Sequence, residues 1–143
     1  MPSTPLAQLI MKQANFSAAV GTGSAVTLTE FSDHADNVTL TTTATTASFL
    51  PVSGKNIQTV GDPTETLGLN LAQSLKADSL WMFLRANHGK TGRVSLTPTS
   101  GGKGKVEADV IFQAPATLGG GQGGGVSAAT LLVQGMATIT PDA

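Results

Sequence analysis

Few residues in this chain are of types that do chemistry, and their spacing argues against each use. Asp33, His34 and Asp36 offer oxygen and nitrogen donors to a metal ion, but no second cluster supplies the remaining ligands. The same segment, Phe31-Ser32-Asp33-His34-Ala35-Asp36-Asn37, gathers turn formers whose short side chains bond nearby backbone groups, so it reads as a turn with solvated charges. Gly89-Lys90-Thr91 matches the end of a phosphate-binding loop, yet the first glycine of that loop falls on Leu84, and the tripeptide follows a helical pattern instead of opening one. Gly101-Gly102-Lys103-Gly104-Lys105 is a turn. The run Gly119-Gly120-Gly121-Gln122-Gly123-Gly124-Gly125 lacks the preceding strand and the acidic partner of a dinucleotide site. Neither His34 nor His88 has a nucleophile elbow nearby. His88 suits the last turn of a helix, where positive charge meets the dipole, and Trp81 stands beside an apolar stripe as a packing residue rather than a ligand platform. The chain has no cysteine, which removes a disulfide scaffold, a thiolate zinc site and a thiol nucleophile. No catalytic constellation remains, so the expectation is a non-enzyme without cofactor or metal.

The elements that would hold such residues centre on Thr64 to Pro98. Leu67, Leu69 and Leu71 alternate with Gly68, Asn70 and Ala72, the period of a strand with one buried face. Leu80, Phe83 and Leu84 then follow helical spacing, with Asp78 as the expected N-cap and Gly89 as the left-handed residue past the end. Val94 and Leu96 alternate again up to Pro98, which cannot donate to a ladder. A helix this short needs a sheet to cover. Further strands are expected at Ala25 to Phe31, at Ile57 to Val60, at Val106 to Phe112, and from Val126 onward with a change of phase at Gly135. Val38 to Leu50 predicts a long strand or hairpin arm, one side of which is Thr39, Thr41, Thr43 and Thr45. Pro51, Gly54 and Gly61-Asp62-Pro63 mark residues 50–64 as a protruding loop or hairpin. Residues 1–22 have little periodicity and read as an arm, leaving 23–143 as one domain.

The chain has 143 residues, enough for one domain with a real core. Charged residues are 12%, about half the usual share, and Thr, Ser, Ala and Gly take their place. Such a surface suits burial against partners; an uncharged, threonine-rich face on a monomer has the same composition. A net charge of −1 gives no basic footprint for nucleic acid. No apolar run approaches the roughly 18 residues of a membrane span. Pro2, Pro5, Gln8 and Lys12 interrupt the apolar cluster near the start, so a secretory leader is not expected.

In their order these parts resemble the major tail (tail tube) proteins of long-tailed bacteriophages. The resemblance covers most of residues 26–142. It rests on Phe31-Ser32-Asp33-His34-Ala35-Asp36-Asn37-Val38-Thr39-Leu40, a Pro- and Gly-marked loop to Gly61-Asp62, and Leu67-Gly68-Leu69-Asn70-Leu71. Ser79-Leu80-Trp81-Met82-Phe83-Leu84 leading to His88-Gly89 follows, and then a Gly-rich connector into Leu131 to Thr138 with Pro141-Asp142. The low charge content departs from the family. The resemblance implies an antiparallel β-sandwich or barrel-like domain with one short flanking α-helix, self-assembling into stacked hexameric rings that form a tube. Partners would be further copies, other tail proteins such as the tape measure and tail terminator, and DNA that passes without being read. The implied location is the virion, with assembly in the host cytoplasm. The arm and the 50–64 loop would be where rings grip. A channel that conducts DNA should not hold it, and each phosphate neutralised by a cation adds binding. Either the threonine face (Thr39, Thr41, Thr43, Thr45) or the acidic face (Glu107, Asp109) is therefore expected to line the lumen, with Lys103 and Lys105 at a turn away from it. A soluble β-sandwich that binds a ligand or receptor through its Gly-rich loops is the alternative.

Overall fold

The computed structural model describes residues 13–21, 26–98, 103–120 and 125–141. Its elements are β1 (Asn15–Val20), β2 (Thr29–Glu30), β3 (Ala35–Thr43), β4 (Thr46–Phe49), β5 (Ile57–Val60), β6 (Thr64–Ala72), α1 (Leu80–Ala86), β7 (Thr91–Thr97), β8 (Lys105–Ile111), β9 (Val126–Val133) and β10 (Thr138–Thr140). The fold is mainly β, antiparallel throughout, with one short helix, as expected. One eight-stranded sheet runs β2-β1-β7-β8-β9-β6-β3, and β10 joins it through β8.

Alternation along the strands decides which face is buried. Leu67, Leu69 and Leu71 of β6 lie opposite Leu131, Ala129 and Ser127 of β9, and all six are buried. Phe16 and Ala18 of β1, near one end of the strand order, share a single apolar cluster with these leucines near the other end. A flat sheet cannot bring them together, so the sheet curls around its own core in the barrel-like manner. The helix enters that core, burying Leu80, Trp81 and Leu84. Each fully buried leucine contributes about 1.5–3 kcal/mol in transfer terms. Phe83 bridges Phe31 and Phe112, with ring centroids 5.2 Å apart on both sides. Phe112 also passes over Gly92: a Cβ there would run into the Phe112 ring and the Ala19 carbonyl, so β7 must carry glycine at this point.

Several boundaries differ from expectation for identifiable reasons. Ser79, not Asp78, caps the helix, because its hydroxyl accepts the Met82 amide at 3.3 Å while Asp78 belongs to the preceding turn. Asn15–Val20 lies within the stretch expected to be an arm, yet it is an internal strand between β2 and β7; residues 1–12 lie outside the described residues. Of the strand expected at Ala25 to Phe31, Ala25 lies outside the described residues, and from Val26 onward only Thr29 and Glu30 form a ladder, since β2 meets β1 only at Ala18 and Ser17. The long run from Val38 breaks at residues 44–45, where the Gly61 amide donates to the Thr45 carbonyl at 2.7 Å. Past that break β4 and β5 pair with each other as a separate two-stranded sheet that continues the β3–β6 ribbon outward. Gly135, at φ 73°, makes the expected change of phase: beyond it β10 takes over pairing with the first half of β8.

Candidate functional site

The outer face of the curled sheet carries the residues singled out for function. Cross-strand partners share a face, so register assigns it: Thr39 is opposite Gly68, Thr41 opposite Thr66 and Thr43 opposite Thr64, all turned away from the core. Those positions of β6 face Thr130 and Leu132 of β9, and Leu132 faces Ile111 of β8. Two positions back along β8 stand Asp109 and then Glu107, opposite Arg93 and Ser95 of β7, and Ser95 faces Ser17 of β1. The threonine face and the acidic face are thus two regions of one surface crossing six strands. Thr45 is the exception, because it sits in the break before β4.

The chemistry of this surface is that of short, mostly uncharged side chains with one compensated charge cluster. Thr43 and Thr64 exchange a hydroxyl hydrogen bond at 3.1 Å, and the Thr39 hydroxyl donates to Asn37 Oδ1 at 3.0 Å. Arg93 reaches Asp109 Oδ1 at 3.2 Å through Nη1 and Glu107 Oε2 at 3.5 Å through Nη2, while Lys105 Nζ lies 3.3 Å from Glu107 Oε1. Two cations and two carboxylates leave no net charge. The acidic face is therefore neutral, not acidic, and Lys105 belongs to it instead of turning away. The sequence carries a signal for this: Arg93 sits on an alternating strand, out of phase with Val94 and Leu96, hence on their opposite face.

The other chemically interesting residues serve the fold. His34 Nδ1 accepts the Leu80 amide at 3.4 Å at the start of α1, and its ring meets Phe31 edge-on at 5.7 Å. His88 lies beyond the C-cap Asn87 and not in the last turn of α1, and its Nδ1 accepts the Ala114 amide at 2.9 Å. Trp81 is buried as expected, and its Nε1–H donates to the Thr117 carbonyl at 3.2 Å. Gly89 donates to the Phe112 carbonyl and Phe112 to the Lys90 carbonyl, so Gly89-Lys90-Thr91 leads into β7 with its backbone engaged. Glu65, in phase with Leu67, Leu69 and Leu71, is buried with them, accepting from Thr42 Oγ1 at 2.7 Å and from the Ala137 amide at 2.6 Å. Among the described residues no group of three or more His, Cys, Asp or Glu could hold a metal ion, and no helix is long and apolar enough to cross a membrane. Residues 99–102 and 121–124 of the Gly-rich turns lie outside the described residues.

A second surface is the β4–β5 hairpin, all of whose strand residues are exposed. Phe49 is 64% exposed, Leu50 69% and Val60 74%. Phe49 lies opposite Ile57. Phe49 and Ile57 share one face of this ribbon and Val60 lies on the other, so apolar groups are exposed on both sides of it.

No family model matches the sequence, and no curated protein does. Among solved structures the chain is similar to one from the cryo-EM structure of the sheath/tube terminator of an extracellular contractile injection system, PVC, in its extended state. The TM-score is 0.54 over 97% of this chain and 99% of that one, at 14% identity. The two chains share a fold.

Proposed function

We propose that this chain is a structural component of a phage-tail-like particle, and that it builds the tail tube by associating into stacked hexameric rings. The outer sheet face lines the bore, and the β4–β5 hairpin joins successive rings. The observation that carries this reading is the outer face itself. It is continuous across six strands and built largely of Thr, Ser, Ala, Gly and Asn; the charges of Arg93, Lys105, Glu107 and Asp109 on it cancel, and Glu30 of β2 adds a carboxylate at its edge. A wall of that kind gives DNA hydroxyls and methyls to slide past but no surplus cations to bind phosphate. The shared fold with a chain of a tail-like injection machine supports the same reading. Other tail proteins are the further partners, assembly takes place in the host cytoplasm, and no catalytic step is assigned.

Likeness to a sheath/tube terminator favours a second reading, a ring that ends a tube instead of extending it. Light scattering on the purified protein followed by negative-stain microscopy distinguishes these. Growing filaments support the tube, single rings that never stack support the terminator, and a monomer at all concentrations supports a soluble binding module.

A further inference from the structure

Among the described residues the curled sheet does not close. β3 pairs with β6 on one edge only, and between its free edge and the start of β1 lies an open groove lined by Asn15, Glu30, Asp33, His34, Asp36 and Asn37. The groove is acidic. Glu30 is engaged by the Ser32 hydroxyl, whereas no ion pair among the described residues reaches Asp33 or Asp36. Groove and hairpin stand at opposite ends of one ribbon: the groove flanks the first residues of β3, and the hairpin continues past its last, roughly 25–30 Å away at strand rise. The hairpin bears one charged residue, Lys55, exposed beside the turn in which the Gly54 amide donates to the Pro51 carbonyl. Among the described residues Lys55 has no carboxylate partner either.

Resting on the assembly proposed above, we infer that the hairpin of one copy seats in the open seam groove of a second copy, with Lys55 opposite Asp33 and Asp36. The two surfaces differ and lie at opposite ends, so the contact is head to tail and does not use itself up: each added copy presents a fresh hairpin or a fresh groove. Apolar residues around the tip, Phe49 and Leu50, lose their exposure against the groove walls, and the lone cation meets carboxylates that have no other counter-ion in the described structure.

The test is a charge reversal on the full chain, read as the concentration at which filaments appear by light scattering. Lys55→Glu alone, and Asp33→Lys with Asp36→Lys, should each raise that concentration about fivefold or more, the effect of turning an exposed attraction into repulsion at every contact. All three together should return it to within about twofold of the wild type. Unchanged assembly of Lys55→Glu, or a triple variant worse than either parent, overturns the groove as receiver and leaves the tube reading standing. A wild-type chain that never assembles contradicts the tube reading itself. Because the chain has no cysteine, a second measurement is clean: Ser53→Cys co-assembled with Asn37→Cys should form a disulfide between copies carrying different variants. Disulfides joining only Ser53→Cys to itself would mean hairpins meet each other, and would overturn the proposal.

Discussion

At the residue scale, the sequence revealed the core more readily than the charges. Leu67, Leu69, Leu71, Leu80 and Leu84 announce themselves by period and are all buried. Truncating Leu84 to Ala should cost about 2–5 kcal/mol by thermal or chemical melting. A variant melting within a degree of the parent would show that α1 does not pack in the core. Gly92 carried no such signal, since nothing local reveals that Phe112, twenty residues on, will lie across it. Gly92→Ala should destabilise by at least 1–3 kcal/mol, as overpacking does, and more if β1 is pushed off the ladder. A neutral effect would mean the ring has room to move. Arg93 is similar: its partners Glu107 and Asp109 are set by the β7–β8 register, which periodicity does not give. Removing its charge with Arg93→Met should cost about 1 kcal/mol, because the cluster is partly solvated, and should leave the outer face net negative. Stability equal to the wild type in high and low salt alike would show that the cluster does not act as an ion-pair network.

At the element scale, what was legible follows from side-chain volume and strand length. β6 alternates leucine with small or polar residues and is legible by period, and β9 is legible at Leu131 and Val133, whereas β1 gives little signal because its buried face is Phe16 and then the small Ala18. β2 was overestimated because Val26 and Leu28 supply β propensity with no neighbouring strand to pair with. The helix was placed correctly but capped one residue early, since an aspartate and a serine are equivalent to propensity and only geometry chooses the serine. Ser79→Ala should therefore cost about 1 kcal/mol while Asp78→Ala changes little, measured by denaturant midpoint. Equal losses would return the cap to Asp78. The hairpin was marked in sequence by Pro51, Gly54 and Gly61, and the structure gives it no support from the core. Replacing residues 46–60 by a short turn should leave melting within a few degrees of the parent and abolish filament growth. Filaments of normal length would remove the hairpin from the assembly.

At the scale of the whole molecule, one sheet has two jobs set by the two sides of its pleat. The inner side and the helix hold the fold, and the outer side carries short polar side chains around one compensated charge cluster, the surface proposed to line the bore. That division was only half legible. Composition showed too little charge for an ordinary surface, and alternation showed a threonine face, but only the register shows that Thr39, Thr41 and Thr43 share their surface with Glu107, Asp109, Arg93 and Lys105. The central claim is that this shared surface lines a bore, and a cryo-EM map of the assembled filament at side-chain resolution tests it most directly. The expected map has Thr39, Thr41 and Thr43 and the Arg93–Glu107–Asp109 cluster facing the channel, with α1 outside. A map with α1 against the channel and the threonine face turned outward would contradict the account.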